Sequence, residues 1–187
     1  MIAGGASSPP PLKGIMHEES LQMMTDMLTG LGLEKALVLD VGSDASMGSF
    51  EPLIESLGWE YLGLDIMPGP GVDIVTEHPY EYPFDDGTFD VVISGSTMEH
   101  VQALWLWVPE LYRILKDDGY LAICTVTSWE VHRNPLDCWR ILPDGMAYLL
   151  HRAGFVYFDI EMVGDKDIRA LACKGEDSRC PKLLSTQ

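Results

Sequence analysis

Two acids and a glycine between residues 36 and 66 have the types and spacing needed to hold a nucleotide-like ligand. The apolar run 36–41 contains Asp40 and leads into Gly42, and a second apolar run, 61–66, carries Asp65 near its end. A carboxylate at the tip of a strand can accept two hydrogen bonds from a ribose diol, and a glycine turn admits a ligand close to the backbone. The expected chemistry is the binding of a ribose-containing ligand.

A second set of candidate residues lies in the segment HRNPLDCWR, residues 132–140, which follows a predicted strand. His132 could act as a base, Trp139 could form an aromatic wall, and Arg140 could hold an acid. The candidate functional residues of this segment are His132, Asp137, Trp139 and Arg140. The alternative is structural, because Trp139 and Arg140 could instead anchor the loop and cap the next helix.

His100, which follows Glu99 at a predicted helix start, is a further candidate. It would act near the cofactor or the substrate, or else occupy a solvated or capping position. Trp105 and Trp107 alternate with leucines, and we interpret them as packing against the sheet or against a second subunit, which leaves a homodimer open.

The elements that must position these residues alternate between helices and strands. Hydrophobic spacing predicts helices over 17–31, 49–57, 99–115 and 143–152, and strands over 36–41, 61–66, 72–75, 89–94, 120–126, 155–163 and 168–173. The last two strands are joined by about four residues, too few for a parallel crossover, so they form an antiparallel hairpin. We therefore predict an α/β fold with a mostly parallel sheet and one antiparallel strand at its end.

The composition limits which classes of protein and which partners are possible. The chain has 187 residues and a formal net charge of −17, which disfavours nucleic acid and anionic membranes as partners. We expect a flexible segment 1–15, one domain over 16–175 and a polar tail 176–187. The proline-rich start lacks the apolar core of a signal peptide and no apolar run could span a bilayer, so a soluble cytoplasmic protein is expected.

The spacing of cysteine, histidine and acidic residues gives no support for a metal. No C-x-x-C pair and no His/Asp/Glu cluster with ligand spacing occurs, so no metal site is expected. Cys124 and Cys173 lie in apolar, strand-like runs and are interpreted as buried reduced thiols.

Several ordered motifs together resemble a known family. They are VLDVGS, GLDI, PFDDGTFDVVIS, MEHV and LYRILKDDGYLAI. In this order and spacing, over about residues 33–173, the chain resembles the class I S-adenosylmethionine-dependent methyltransferases of the type 11 group. The resemblance implies a Rossmann-like, mostly parallel seven-stranded sheet with helices on both faces and a C-terminal antiparallel hairpin, and S-adenosylmethionine as cofactor.

The resemblance also implies roles for residues that follow the strands. Asp65 would hold the ribose hydroxyls and Ile66 would pack on the adenine. The loop after the first strand would lie against the methionine half of the cofactor, through Asp40, Gly42, Ser43 and Asp44. The remaining contacts would be Glu77 and His78 at the adenine edge, Ser94, Gly95 and Ser96 near the sulfonium, and Met98 and His100 at the border of the cofactor.

The first loop departs from the family pattern. Glycine commonly alternates after the acid, but here Asp44 and Ser46 follow Gly42 at those positions. A related variant of the family carries two Gly-Ser pairs, which Gly42-Ser43 and Gly48-Ser49 match. The Asp44 carboxylate would repel the carboxylate of the cofactor unless it turns away or pairs with the ammonium group.

The leading hypothesis is a methyltransferase that acts on a small molecule. Because methyl transfer mainly requires the nucleophile, methyl and sulfur to be held in line, the absence of an obvious catalytic constellation does not count against it. A nicotinamide-dependent oxidoreductase is the first alternative, but G-x-G-x-x-G is absent after Gly42. The second is a degenerate methyltransferase fold that serves as a non-catalytic binding or scaffold module.

Overall fold

The computed structural model describes residues 18–175, and our expectations for residues 1–17 and 176–187 lie outside that range. The strands are β1 (Leu37–Val41), β2 (Glu60–Asp65), β3 (Ile74–Val75), β4 (Phe89–Gly95), β5 (Leu115–Val126), β6 (Tyr157–Val163) and β7 (Asp167–Lys174). The helices are α1 (Glu18–Thr29), α2 (Glu51–Ser56), α3 (Leu104–Ile114) and α4 (Pro143–Ala153), with two short 3-10 turns, Ala45–Met47 and Met98–His100.

The strands form one sheet in the order β3-β2-β1-β4-β5-β7-β6. Strands β1 to β5 pair in parallel, and β7 pairs antiparallel with both β5 and β6. The predicted fold class is therefore confirmed. One detail differs, because β7 lies inside the sheet between β5 and β6, and the edge strand is β6.

Successive side chains of a strand point to opposite faces of the sheet, so the apolar strands present side chains that must be covered on both faces. Helices cover both faces. On one face Val38 and Ile93 pack with Met24 of α1 and Ile54 of α2. On the other face Leu39, Val92, Leu121 and Ile123 pack with Trp107 and Leu111 of α3 and with Met146 and Leu150 of α4. Both clusters are buried, so strands β1, β4 and β5 are held rigidly from two sides.

The helix predicted over 99–115 is wrong at its start, because α3 begins at Leu104. Residues 98–100 form a 3-10 turn and Val101 has extended backbone, with φ −80° and ψ 121°. The Val101 carbonyl accepts a hydrogen bond from the Trp139 indole at 2.7 Å, and the Ala103 amide donates to the Tyr80 hydroxyl. These contacts stabilise a non-helical connection that periodicity cannot reveal.

The cysteine interpretation is confirmed at one position and wrong at the other. Cys124 is a buried free thiol, whereas Cys173 is disulfide-bonded.

Within residues 18–175, none of the helices is both long enough and apolar enough to cross a bilayer.

Candidate active site

The loops that follow β1, β2, β4 and β5 meet at one edge of the sheet, which we call the carboxyl edge. They do so because these strands run parallel and in register, for example with Asp40 beside Gly63 of β2 and Ile93 of β4. Every residue that the sequence nominated lies on or next to this edge. Ligands of open α/β sheets bind there.

Asp40 is buried beneath the edge and is held by a neighbouring strand. Its side chain is 3% exposed and accepts a hydrogen bond from the Tyr61 hydroxyl at 2.9 Å. Burial raises the pKa of Asp40 to about 7, and the nearby Asp65 carboxylate adds to the rise. Asp40 therefore supports the loop above it rather than reaching solvent.

Gly42 opens the loop after β1 in a conformation that requires glycine. Its φ is +85°, and an added Cβ would lie 2.0 Å from the Thr97 hydroxyl oxygen. Ser43 is buried next to it, and its hydroxyl has no hydrogen-bond partner within the described residues. The buried Ser94 hydroxyl donates to the Val41 carbonyl at 2.7 Å and so ties the end of β1 to β4.

The Asp44 carboxylate is engaged within its own loop. One of its oxygens accepts hydrogen bonds from the Ser46 amide at 3.1 Å and the Ser46 hydroxyl at 2.7 Å, which caps the 3-10 turn Ala45–Met47. Gly69 lies so close to that oxygen that a Cβ there would approach to 2.6 Å. The Asp44 side chain is therefore held by contacts within its own loop.

Asp65 ends β2 with its carboxylate anchored to the two adjoining loops. It accepts hydrogen bonds from the Asp44 amide at 3.3 Å and the Met67 amide at 3.1 Å. The side chain is half-buried, and a carboxylate has about four lone-pair positions, so acceptor capacity is left for a ligand. The two hydrogen bonds from the amides fix the direction of the remaining lone pairs of the Asp65 carboxylate.

The other nominated adenine contacts lie on the rim. Ile66 is 49% exposed, and Glu77 and His78 are exposed in the turn after β3. The His78 amide donates to the Thr76 hydroxyl, which in turn donates to the His78 carbonyl. These residues are accessible from the carboxyl edge.

The segment 127–142 between β5 and α4, which we call the clamp loop, is fixed by an ion pair. Arg140 donates to both oxygens of Asp137, at 2.6 and 2.9 Å, and also to the carbonyls of Trp129 and Glu130. The Arg140 guanidinium and the His132 amide hold the pKa of Asp137 well below its usual range. The pair has the bidentate geometry of a strong charge-assisted contact.

Trp139 connects the clamp loop to the connection before α3. Its indole donates to the Val101 carbonyl at 2.7 Å, its amide donates to the Glu99 carbonyl, and its ring meets Trp105 edge-on at 6.4 Å. Trp139 and Arg140 therefore both have the anchoring contacts of the structural alternative.

His100 and His132 are brought together although 32 residues separate them in sequence. Their rings meet edge to face at 5.0 Å. The Nδ1 atom of His100 contacts the Leu136 carbonyl, and that of His132 contacts the Glu130 carbonyl at 3.0 Å. Both nominated catalytic histidines thus lie at one point of the carboxyl edge.

The sequence analysis missed three polar residues of this region. Tyr61 supports Asp40, and the buried Glu99 accepts a hydrogen bond from Thr125 at 2.7 Å. Tyr61 and Thr125 belong to mainly apolar strands, where a polar side chain was the available signal, whereas Glu99 lies among polar residues and gave no such signal. What could not be inferred was the partner, since it lies on another strand or loop.

The chain is similar to methyltransferases in sequence and in fold. Residues 39–123 match the sequence model of a methyltransferase domain. An uncharacterized methyltransferase of a Mycobacterium species (strain JLS) is 30% identical over 135 residues, which are 66% of this chain and 52% of the relative, and a second, from Mycolicibacterium gilvum, is 26% identical over 137 residues with the same coverage. The family match over residues 39–123 and the relatives support a class I S-adenosylmethionine-dependent methyltransferase domain in this chain. The chain spans about half the length of the curated relatives it matches.

Solved methyltransferases share its fold. The Burkholderia thailandensis 1,6-didemethyltoxoflavin-N1-methyltransferase, solved with 1,6-didemethyltoxoflavin and S-adenosylhomocysteine, matches with a TM-score of 0.71 and 18% identity over 86% of this chain and 80% of its own. An S-adenosylmethionine-dependent methyltransferase from Aquifex aeolicus matches with a TM-score of 0.65 and 18% identity over 86% and 94%.

We expect Gly42→Ala to destabilise this methyltransferase more than a glycine substitution of the same backbone type elsewhere. Gly32, at φ +65°, has nothing within 4 Å of its added Cβ, so Gly32→Ala carries the backbone penalty alone. Gly42→Ala adds the contact with Thr97 and should lower the free energy of unfolding by about 1–3 kcal/mol beyond the control. Urea denaturation of both variants measures this, and equal losses would contradict the role given to Thr97.

Proposed function

We propose that the chain transfers the methyl group of S-adenosylmethionine to a small-molecule acceptor at the carboxyl edge. The observation that carries the proposal is Asp65, a half-buried carboxylate that ends β2 and is fixed by the amides of Asp44 and Met67. In that position it would accept hydrogen bonds from the two ribose hydroxyls. Ile66 would pack on the adenine, with Glu77 and His78 at its edge.

The methionine half of the cofactor would lie against the loop after β1. Gly42 would allow the cofactor to approach the backbone closely, and Ser43 would line the loop beside it. Asp40 and Ser94 support this loop from beneath through their hydrogen bonds. Asp44 bonds to Ser46 and so leaves room for the cofactor carboxylate. The altered glycine pattern is compatible with binding for this reason.

The acceptor would enter beside the clamp loop. His132 and His100 are the candidate bases for an acceptor that carries a proton at neutral pH. The charge and shape of the acceptor pocket would come from three residues of the clamp loop, Asp137, Trp139 and Arg140. A small molecule is favoured because the net charge of −17 repels polyanions, and because the Burkholderia methyltransferase of similar fold was solved with a small heterocyclic acceptor.

We expect Asp65→Ala to weaken binding of S-adenosylmethionine. Loss of hydrogen bonds to a charged acceptor costs about 1–3 kcal/mol, which corresponds to roughly 5- to 150-fold in Kd. Isothermal titration calorimetry on the full chain measures this. Asp85→Ala, which removes an exposed acid from the turn before β4, is the matched charge control and should bind as the wild type does.

The same titrations separate the alternatives. A methyltransferase binds S-adenosylmethionine and S-adenosylhomocysteine but not NAD, whereas an oxidoreductase would show the reverse preference. Binding of neither cofactor by the wild type would leave only the scaffold hypothesis. Wild-type affinity in Asp65→Ala would remove that carboxylate from the site.

A further inference from the structure

Three metal-ligating side chains converge at the carboxyl edge although the sequence spacing gave no sign of them. Glu99 and His100 come from the 3-10 turn after β4, and His132 comes from the clamp loop after β5. One ligand atom of each residue lies within 4.8 Å of those of the other two. This is close enough for all three to share one ion after small side-chain adjustments.

The hydrogen bonds of the two histidines select the imidazole form that binds metals. The Nδ1 of His100 contacts the Leu136 carbonyl and the Nδ1 of His132 contacts the Glu130 carbonyl. A carbonyl oxygen can only accept, so each neutral ring carries its proton on Nδ1 and keeps a lone pair on Nε2. Histidine ligands commonly donate their second ring N–H to a carbonyl in this way.

Glu99 supplies the oxygen that the described structure leaves unexplained. The residue is 1% exposed, and one carboxylate oxygen accepts a hydrogen bond from the Thr125 hydroxyl at 2.7 Å. The other oxygen is buried and has no hydrogen-bond partner within residues 18–175. A buried carboxylate oxygen without a partner is costly, and coordination of a cation is one of the few ways to satisfy it.

The backbone around the three side chains is held in place before any ion arrives. The Glu99 carbonyl accepts hydrogen bonds from the amides of Cys138 and Trp139, at 2.8 and 3.1 Å, which joins the clamp loop to the turn after β4. The His132 amide donates to Asp137 at 2.7 Å, and Asp137 pairs with Arg140. The ligands therefore belong to two loops that are bonded to each other.

We propose that Glu99, His100 and His132 bind a divalent transition-metal ion. Two imidazoles and one carboxylate form a donor set that suits Zn²⁺, Co²⁺ or Fe²⁺ rather than Mg²⁺ or Ca²⁺, which prefer oxygen ligands. With three protein ligands, the ion keeps a position open for water or for an oxygen or nitrogen atom of a substrate, and while the ion is bound neither imidazole is free to act as a base. This proposal differs from the sequence-based expectation of no metal, because that expectation rested on the spacing of ligands along the chain and not on their distances in the fold.

The test is metal binding by the full chain without any cofactor, so its outcome is separate from that of the proposed methyl transfer. After treatment with a chelator, the protein is titrated with Zn²⁺ by calorimetry in about 0.15 M salt, which screens its acidic surface. We expect one tight equivalent, and visible absorption of nitrogen- and oxygen-coordinated Co²⁺ in a parallel titration. His132→Ala and Glu99→Gln should each lower the affinity by at least about tenfold.

Two control variants define the site. His151→Ala removes an exposed histidine of α4, and Cys138→Ser removes the exposed thiol near His100. Both should bind Zn²⁺ as the wild type does. Loss of binding in Cys138→Ser but not in His132→Ala, or the absence of a stoichiometric equivalent in the wild type, would overturn the proposal.

A measurement on the wild type keeps the test decisive if a variant fails to fold. Zn²⁺ should protect His100 and His132 from chemical modification by diethyl pyrocarbonate, mapped by mass spectrometry, while His151 stays reactive. Equal reactivity of His100 and His132 with and without Zn²⁺ would also overturn the proposal.

Discussion

The protein should lose about 3 kcal/mol of folding stability between about pH 5 and pH 8 through Asp40 alone. The carboxyl is buried under the loop after β1, and burial raises its pKa from 3.8 to about 7. Each pH unit between the two values costs about 1.4 kcal/mol, because the unfolded chain releases the proton that the folded chain retains. The loss begins above the unfolded value and is complete once pH exceeds the folded value.

The groups around Asp40 determine the size of this effect. The hydrogen bond from Tyr61 opposes the rise in pKa by favouring the carboxylate, while the negative charge of Asp65 reinforces it. The Cys124 thiol also interacts electrostatically with Asp40, and its own pKa is raised to about 12. It therefore stays uncharged throughout this range of pH.

Comparison with Asp40→Asn isolates the contribution of this one group. Asparagine can still accept the Tyr61 hydrogen bond but does not titrate, so the other ionisable groups cancel in the difference between the two proteins. Urea denaturation across the pH range should show the wild type losing stability relative to the variant as pH rises. A constant difference would mean that Asp40 titrates normally in the fold.

Trp107→Ala should destabilise the protein by about 3–5 kcal/mol, in the range typical of a large aromatic removed from a core. Trp107 is 1% exposed in the cluster that joins α3 to the sheet, and its indole donates to the Tyr82 hydroxyl at 2.8 Å. The substitution leaves a cavity and an unpaired buried hydroxyl. The free energy of unfolding in urea measures the loss.

Trp105→Ala is the matched control, two residues away on the same helix. Trp105 is 58% exposed and meets only the edge of Trp139 among its ring contacts in the described region. Its removal should cost no more than about 1.5 kcal/mol, the range of one aromatic pair. Equal losses for the two variants would contradict the difference in burial.

The fold could be predicted because its signals are local. Continuous apolar runs mark β1, β4 and β5, and the short link between the last two strands, residues 164–166 in the structure, requires an antiparallel hairpin. The start of α3 could not be predicted, because helical spacing continues from Glu99. The hydrogen bond that stabilises the extended backbone at Val101 comes from Trp139, which is 38 residues further along the chain. A distant side chain decided the local structure.

The candidate site was predictable only where one strand end defines it. Asp65 follows from the pattern of an acid that closes an apolar strand. The surroundings of Glu99 do not, since Thr125 bonds to it from another strand and His132 lies near it on another loop. The disulfide of Cys173 was missed in the same way, because an apolar strand says nothing about what a thiol meets.

The bonded clamp loop has a consequence for how an acceptor is chosen. Arg140 bonds simultaneously to Asp137, Trp129 and Glu130, so these parts of the loop are already ordered in the free protein. A loop ordered in advance adds little entropic penalty when a ligand arrives, and it cannot reshape itself around a poor fit. Selection among acceptors should therefore operate by rigid exclusion, so that molecules differing by a single substituent are sorted by steric fit.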